Sequence, residues 1–156
     1  MKMAEQGGPK GLTTREKILF EGLTDWVKLE QVHEYVAFED VSASLAKVQR
    51  RTLELVRSMA EEGVIALGNP IEHGARFKDW NVPLDEAMAR LSADYVDNFH
   101  DRCNWPMLVW FRVTDKGKEI GRSYSEEYTA WLAELRAQGR EYEPLPMHLV
   151  PGGHIE

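Results

Sequence analysis

The chain has 156 residues, 43% of them hydrophobic, and a formal net charge of −7. That length supports one domain with a sizeable core, and no apolar run approaches the roughly 18–20 residues that cross a bilayer. The acidic balance argues against a protein whose whole surface is a phosphate-binding footprint, and a single cysteine, Cys103, excludes an internal disulfide.

A lone cysteine fits a reducing compartment, so a cytoplasmic location is the expectation. The charge is uneven: residues 123–156 hold two Arg against six acids, the largest acid excess in the chain. Residues 1–12 have no apolar segment of the kind a secretory signal needs and are expected to form a disordered leader. Thr13-x-x-Glu16 is a capping box, and Ile18, Leu19, Gly22, Leu23 and Trp26 follow at helical spacing. This first helix is predicted to end near Trp26–Val27. A second, short helix is predicted over Leu29–Val36, with Leu29, Val32, His33 and Val36 on one side.

The stretch Ser42–Leu67 organises the rest. Leu45, Val48, Thr52, Leu55, Val56 and Met59 form one stripe of a helix of about five turns, with Asp40 or Ser42 as its N-cap. Gly63 closes this helix, and Val64–Leu67 reads as a buried strand that Gly68-Asn69-Pro70 breaks. Asn81-Val-Pro-Leu-Asp-Glu86 then signals a helix start, with Pro and two acids in the first turn. That helix is expected to run to about Asp101, with Leu84, Met88, Leu91, Tyr95 and Phe99 inward. Met107–Val113 is rich in β-branched and aromatic residues and reads as a strand. A capping box at Ser123-x-x-Glu126 starts a last helix with Tyr128, Trp131, Leu132 and Leu135 on its apolar face, ended by Gly139. The tail, residues 140–156, has three prolines and a Gly-Gly pair and is expected to be extended or disordered.

The strand Met107–Val113 running straight into Thr114-Asp-Lys-Gly-Lys-Glu-Ile120 resembles the second wing strand and following helix of winged-helix bacterial regulators. The likeness extends over residues 13–122 with one interruption, and the whole is similar to small bacterial proteins. It implies an α+β, mainly α fold: a winged-helix three-helix core with a short β-hairpin, a helical insertion in the wing over residues 69–104, and an extra C-terminal helix over 123–139. In such regulators the Thr caps the helix after the strand, and the third helix enters the DNA major groove.

Two binding surfaces follow, each set against a plainer reading. The first turns of the long helix carry Lys47, Gln49, Arg50 and Arg51, a set suited to phosphates and a base edge. The plainer reading is a solvated face with Arg50–Glu54 and Arg57–Glu61 pairs. The insertion helix presents Glu86, Asp94, Asp97 and Asp101 outward, relieved only by Arg90. Such a stripe suits a basic protein partner; taken alone, it reads first as a solvated face. Asp97, His100, Asp101 and Cys103 lack the spacing of a metal site, and no nucleophile has a visible orienting group. The five tryptophans read first as core, with a pocket between insertion and core as the place to look for a ligand. The expectation is therefore a non-enzymatic protein-binding module without cofactor or metal, taking a basic partner. The alternative is a DNA-binding transcriptional regulator, expected as a homodimer.

Overall fold

A computed structural model describes residues 11–153. The expected leader lies outside them except for Gly11 and Leu12. The described chain is α+β and mainly helical, with a four-stranded antiparallel sheet.

Helix α1 spans Thr14–Glu21 behind the expected capping box, in which Thr13 and Glu16 satisfy each other's backbone N–H groups. It stops at Gly22, short of Trp26. The reason is tertiary: Val27–Lys28, strand β1, is drawn into the sheet, and Trp26 packs on Phe77. Helix α2, Leu29–Glu39, follows at once and runs a turn beyond the predicted end.

Helix α3 spans Leu45–Glu61, and its N-cap is Ser44, whose hydroxyl accepts from the Lys47 N–H. Asp40 is not the cap because its carboxylate already takes the N–H and hydroxyl of Ser42. The buried positions Val48, Thr52, Val56 and Met59 follow the predicted stripe. Gly63, at φ +76°, ends the helix in the left-handed region that favours glycine.

Strand β2 covers Ile65–Ile71, so the expected break at Gly68-Asn69-Pro70 does not occur. A hairpin turn over residues 72–75 leads back into β3, Arg76–Asp79, with Pro70 opposite Phe77. The Trp80 N–H donates to the Leu67 carbonyl. In an antiparallel pair the backbone groups alternate sides, so residues 67, 69 and 71 face β3 and Pro70 faces away from it. The missing proline N–H therefore costs the ladder nothing.

The chain then leaves the sheet. Helix α4, Leu84–Ser92, starts behind Pro83 with Asp85 and Glu86 in its first turn and continues as a π-helical turn over Ala93–Asp97. A four-residue helix α5, Trp105–Leu108, returns it to β4, Trp110–Val113. This strand inserts between β1 and β2, giving the order β1-β4-β2-β3. Thr114 caps α6, Asp115–Arg122, accepting from Gly117 N–H and donating to the Gly63 carbonyl at 2.6 Å. Gly121 lets α6 lie on α1: a Cβ there would sit 2.4 Å from the Leu19 carbonyl oxygen.

Helix α7 covers Ser125–Ala137. The expected Ser123 capping box is absent, because the Ser123 hydroxyl donates to the Ile120 carbonyl and closes α6 instead. The tail is not loose where it is described. A 3-10 turn over Met147–Leu149 buries Leu149 completely, and the His148 ring bonds to the Ala43 carbonyl.

Candidate partner-binding groove

Helix α2 has two working faces. On the first, His33 is buried with the rings of Tyr95, Phe99 and Trp105 around it. Its Nε2 lies 2.8 Å from the Leu149 carbonyl, which only accepts, so Nε2 carries the proton and donates. Nδ1 then accepts from the Tyr95 hydroxyl at 2.5 Å. Burial lowers the His33 pKa to about 4, the Leu149 carbonyl opposing it, so the ring is neutral near pH 7. This cluster ties together α2, the insertion and the tail. The space between insertion and core, where a ligand pocket was expected, is filled by these rings.

The second face is open. Tyr35 and Phe38 of α2 look across to Tyr128, Trp131, Leu132 and Leu135 of α7, enclosing a groove of about 620 Å³. None of the α7 residues is fully buried. One end of the groove is held by a polar cluster centred on Glu21. The hydroxyls of Tyr35 and Tyr128 both donate to its carboxylate, and Gln31 Nε2 donates at 3.1 Å. Burial, and then the Glu21 charge, raise the Tyr35 pKa. The Lys17 ammonium lies over the Tyr35 and Trp131 rings, 5.0 and 4.4 Å from their centroids. Burial lowers its pKa while Glu39 and Glu21 pull the other way.

A smaller cavity of about 150 Å³ adjoins the groove at Glu34, Phe38 and Glu143 and is lined as well by Glu30, His33 and Pro144, Leu145 and Pro151 of the tail. Glu34 has its carboxyl held above the usual range, chiefly by burial and then by Glu30 one turn away. Arg140 pairs with Glu143 at 2.8 Å and Arg136 with Glu141 at 3.0 Å. Among the described residues no ion pair engages Glu30 or Glu34.

The residues singled out in the sequence lie elsewhere. On α3, Arg50 is exposed and Lys47 and Arg51 are half-buried. Gln49 is only 7% exposed and donates to the Tyr95 carbonyl, so it is spent on packing the insertion. Arg57 pairs with Glu61 at 3.4 Å and also with Asp85 of α4. Along the insertion, Glu86 and Asp97 are exposed and Asp94 is half-buried. The helix does not reach Asp101, whose carboxylate accepts the Cys103 N–H in a turn. The four acids thus lie on an α-helix, a π turn and a loop rather than on one helical stripe. Among the described residues no three His, Cys, Asp or Glu side chains are grouped to hold a metal, and no helix is long and apolar enough to cross a membrane.

Sequence reasoning missed the groove. The signal was there: Gln31, Glu34, Tyr35 and Phe38 repeat at i, i+3, i+4 and i+7 on the flank of α2 away from His33, as do Tyr128, Trp131, Leu132 and Leu135 on α7. An apolar helical face reads as core by default, and only the fold shows which face finds no cover. No protein-family model matches the chain, and neither a curated protein nor a solved structure shows detectable similarity to it.

Proposed function

We propose that this chain is a non-enzymatic protein-binding module, built on a winged-helix arrangement of α1, β1, α2, α3, β2 and β4, and that its partner is basic. The observation that carries this reading is α7. It presents four large apolar or aromatic side chains, none fully buried, across from Tyr35 and Phe38. Partly open apolar surface of that kind, beside Glu30 and Glu34 that are in no ion pair among the described residues, marks an interaction site. The acids Glu86, Asp94, Asp97 and Asp101 add a negative field that steers a basic partner towards the domain.

A second reading, a DNA-binding regulator, rests on Lys47, Arg50 and Arg51: among the described residues none of them is in an ion pair. The burial of Gln49 removes its best base-reading side chain. The salt bridge from Arg57 to Asp85 sets an acidic helix end beside α3, where phosphates would have to pass.

The test is a photo-crosslinking amino acid placed at Leu132 or at Arg50, with the exposed Lys78 as control site, in cells that make the protein. A discrete protein adduct from position 132 alone is the expected result. Adducts to nucleic acid from position 50, with none from 132, would replace this reading with the second one.

A further inference from the structure

We infer that the occupant of the α2–α7 groove is a basic amphipathic helix of a partner protein; this rests on the protein-binding reading and names the shape and charge of what is bound. The shape comes from the walls. Two helices each present residues at i, i+3, i+4 and i+7, the ridge spacing into which a third helix packs. From Tyr128 to Leu135 the α7 wall spans eight residues, about 10 Å at helical rise, so about two turns of a guest fill it. Its apolar stripe lies on Phe38, Trp131, Leu132 and Leu135.

The charge comes from the rim. Glu34 of α2 lines the groove, and Glu30, one helical turn away, joins it in the smaller neighbouring cavity that Pro144, Leu145 and Pro151 close from the tail. The arginines nearest on the other side are already paired with Glu141 and Glu143. Lys17 is committed to the Tyr35 and Trp131 rings at the other end. A guest carrying Lys or Arg beside its apolar stripe therefore meets Glu34 and Glu30, neither of which is in an ion pair among the described residues. The same charges argue against a second copy of the chain. Its own α7 bears Glu126, Glu127 and Glu134 against Arg136 alone, and would set acid against acid.

The experiment selects peptides from a random 16-residue library displayed on phage. The bait is the full chain, and peptides that also bind the Leu132→Asp variant are subtracted. An enriched peptide is then synthesised and titrated by tryptophan fluorescence. We expect sequences with apolar residues at i, i+3 or i+4, and i+7, flanked by Lys or Arg. Their affinity should fall at least tenfold in Glu30→Lys/Glu34→Lys, a variant that leaves the apolar walls intact, and should weaken as salt rises. Enriched sequences that are acidic or lack the helical period would overturn the inference, as would no enrichment over Leu132→Asp. Self-association of the wild-type chain that Leu132→Asp abolishes would hand the groove to a second copy, also against it. If crosslinking from position 132 yields a protein adduct while the selection yields no basic helix, the protein-binding reading stands and only the identity of the guest falls.

Discussion

The segment from α4 to α5 and the C-terminal helix α7 both pack beside α2, and both carry an amphipathic pattern. The α4–α5 segment spends its pattern on the interior: Ala87, Leu91, Tyr95, Phe99 and Trp105 are all buried, and the Tyr95 hydroxyl and the Trp105 indole N–H are both satisfied there. Helix α7 buries none of its pattern fully: Tyr128 stacks on Phe20 and Trp131 meets the Tyr35 ring, yet both stay partly exposed. One segment completes the core and the other borders a groove. The difference lies in what each meets on α2: the His33 flank is enclosed by the rings of Tyr95, Phe99 and Trp105, whereas on the Tyr35 flank α7 is held only at one edge, by the Glu21 cluster and the Tyr35–Trp131 ring contact. Amphipathicity alone therefore does not tell a packed helix from a binding one; the unburied remainder does.

The comparison breaks first on stability. Trp105→Ala removes a fully buried ring with a satisfied N–H and is expected to cost about 3–5 kcal/mol in urea unfolding. Trp131→Ala removes a half-buried ring and is expected to cost about 1 kcal/mol. Equal losses would mean that α7 is as much a part of the core as the insertion.

The acid side of the stability profile sharpens it next. His33 has a folded pKa of about 4 against an unfolded value near 6.5, so the unfolded chain binds the proton first. Its contribution is fully present above pH 6.5 and is lost as pH falls towards 4, a drop of about 3 kcal/mol from this residue alone. His33→Gln should flatten the profile between those limits. An unchanged slope in the variant would show that the ring is not held neutral by the insertion and tail.

How far these features were legible in the chain depends on how local their causes are. Thr13 and Thr114 announce their helices because a cap is settled within three residues. The α3 stripe was legible for the same reason. Pro70 misled because its tolerance depends on which side of β2 its nitrogen faces, and that is set by the register with β3. The tail misled because its three prolines speak for a loose segment while Leu149 is anchored by a histidine 116 positions away. Of the site, the apolar side chains of α7 were visible, but their lack of cover was not. The acids at 86, 94, 97 and 101 were read as one stripe because a continuous 3.6-residue period was assumed. A π turn changes that period at Ala93.

A smaller effect probes the polar cluster that ties α7 to α1 and α2. Tyr128→Phe deletes one of the two hydroxyls donated to Glu21, leaving the Tyr35 and Gln31 bonds in place. Expected is a loss of about 1 kcal/mol in urea unfolding. Should the loss exceed that of Trp131→Ala, the polar cluster and not the ring packing fixes α7.

The smallest expected effect on stability is the most telling for function. Leu132 is half-buried, so Leu132→Asp exchanges an apolar surface group for a hydrated one and should move the unfolding free energy by less than about 1 kcal/mol. The same change places a carboxylate on the floor of the groove, where a guest helix would have to dehydrate it against its own apolar stripe. Binding should therefore be lost while folding is kept. A core residue cannot show that split, because a charge there unfolds the domain before any partner is tested. If Leu132→Asp instead unfolds the protein, α7 is sealed in solution, the contrast with the insertion disappears, and the groove is a gap in packing rather than a site.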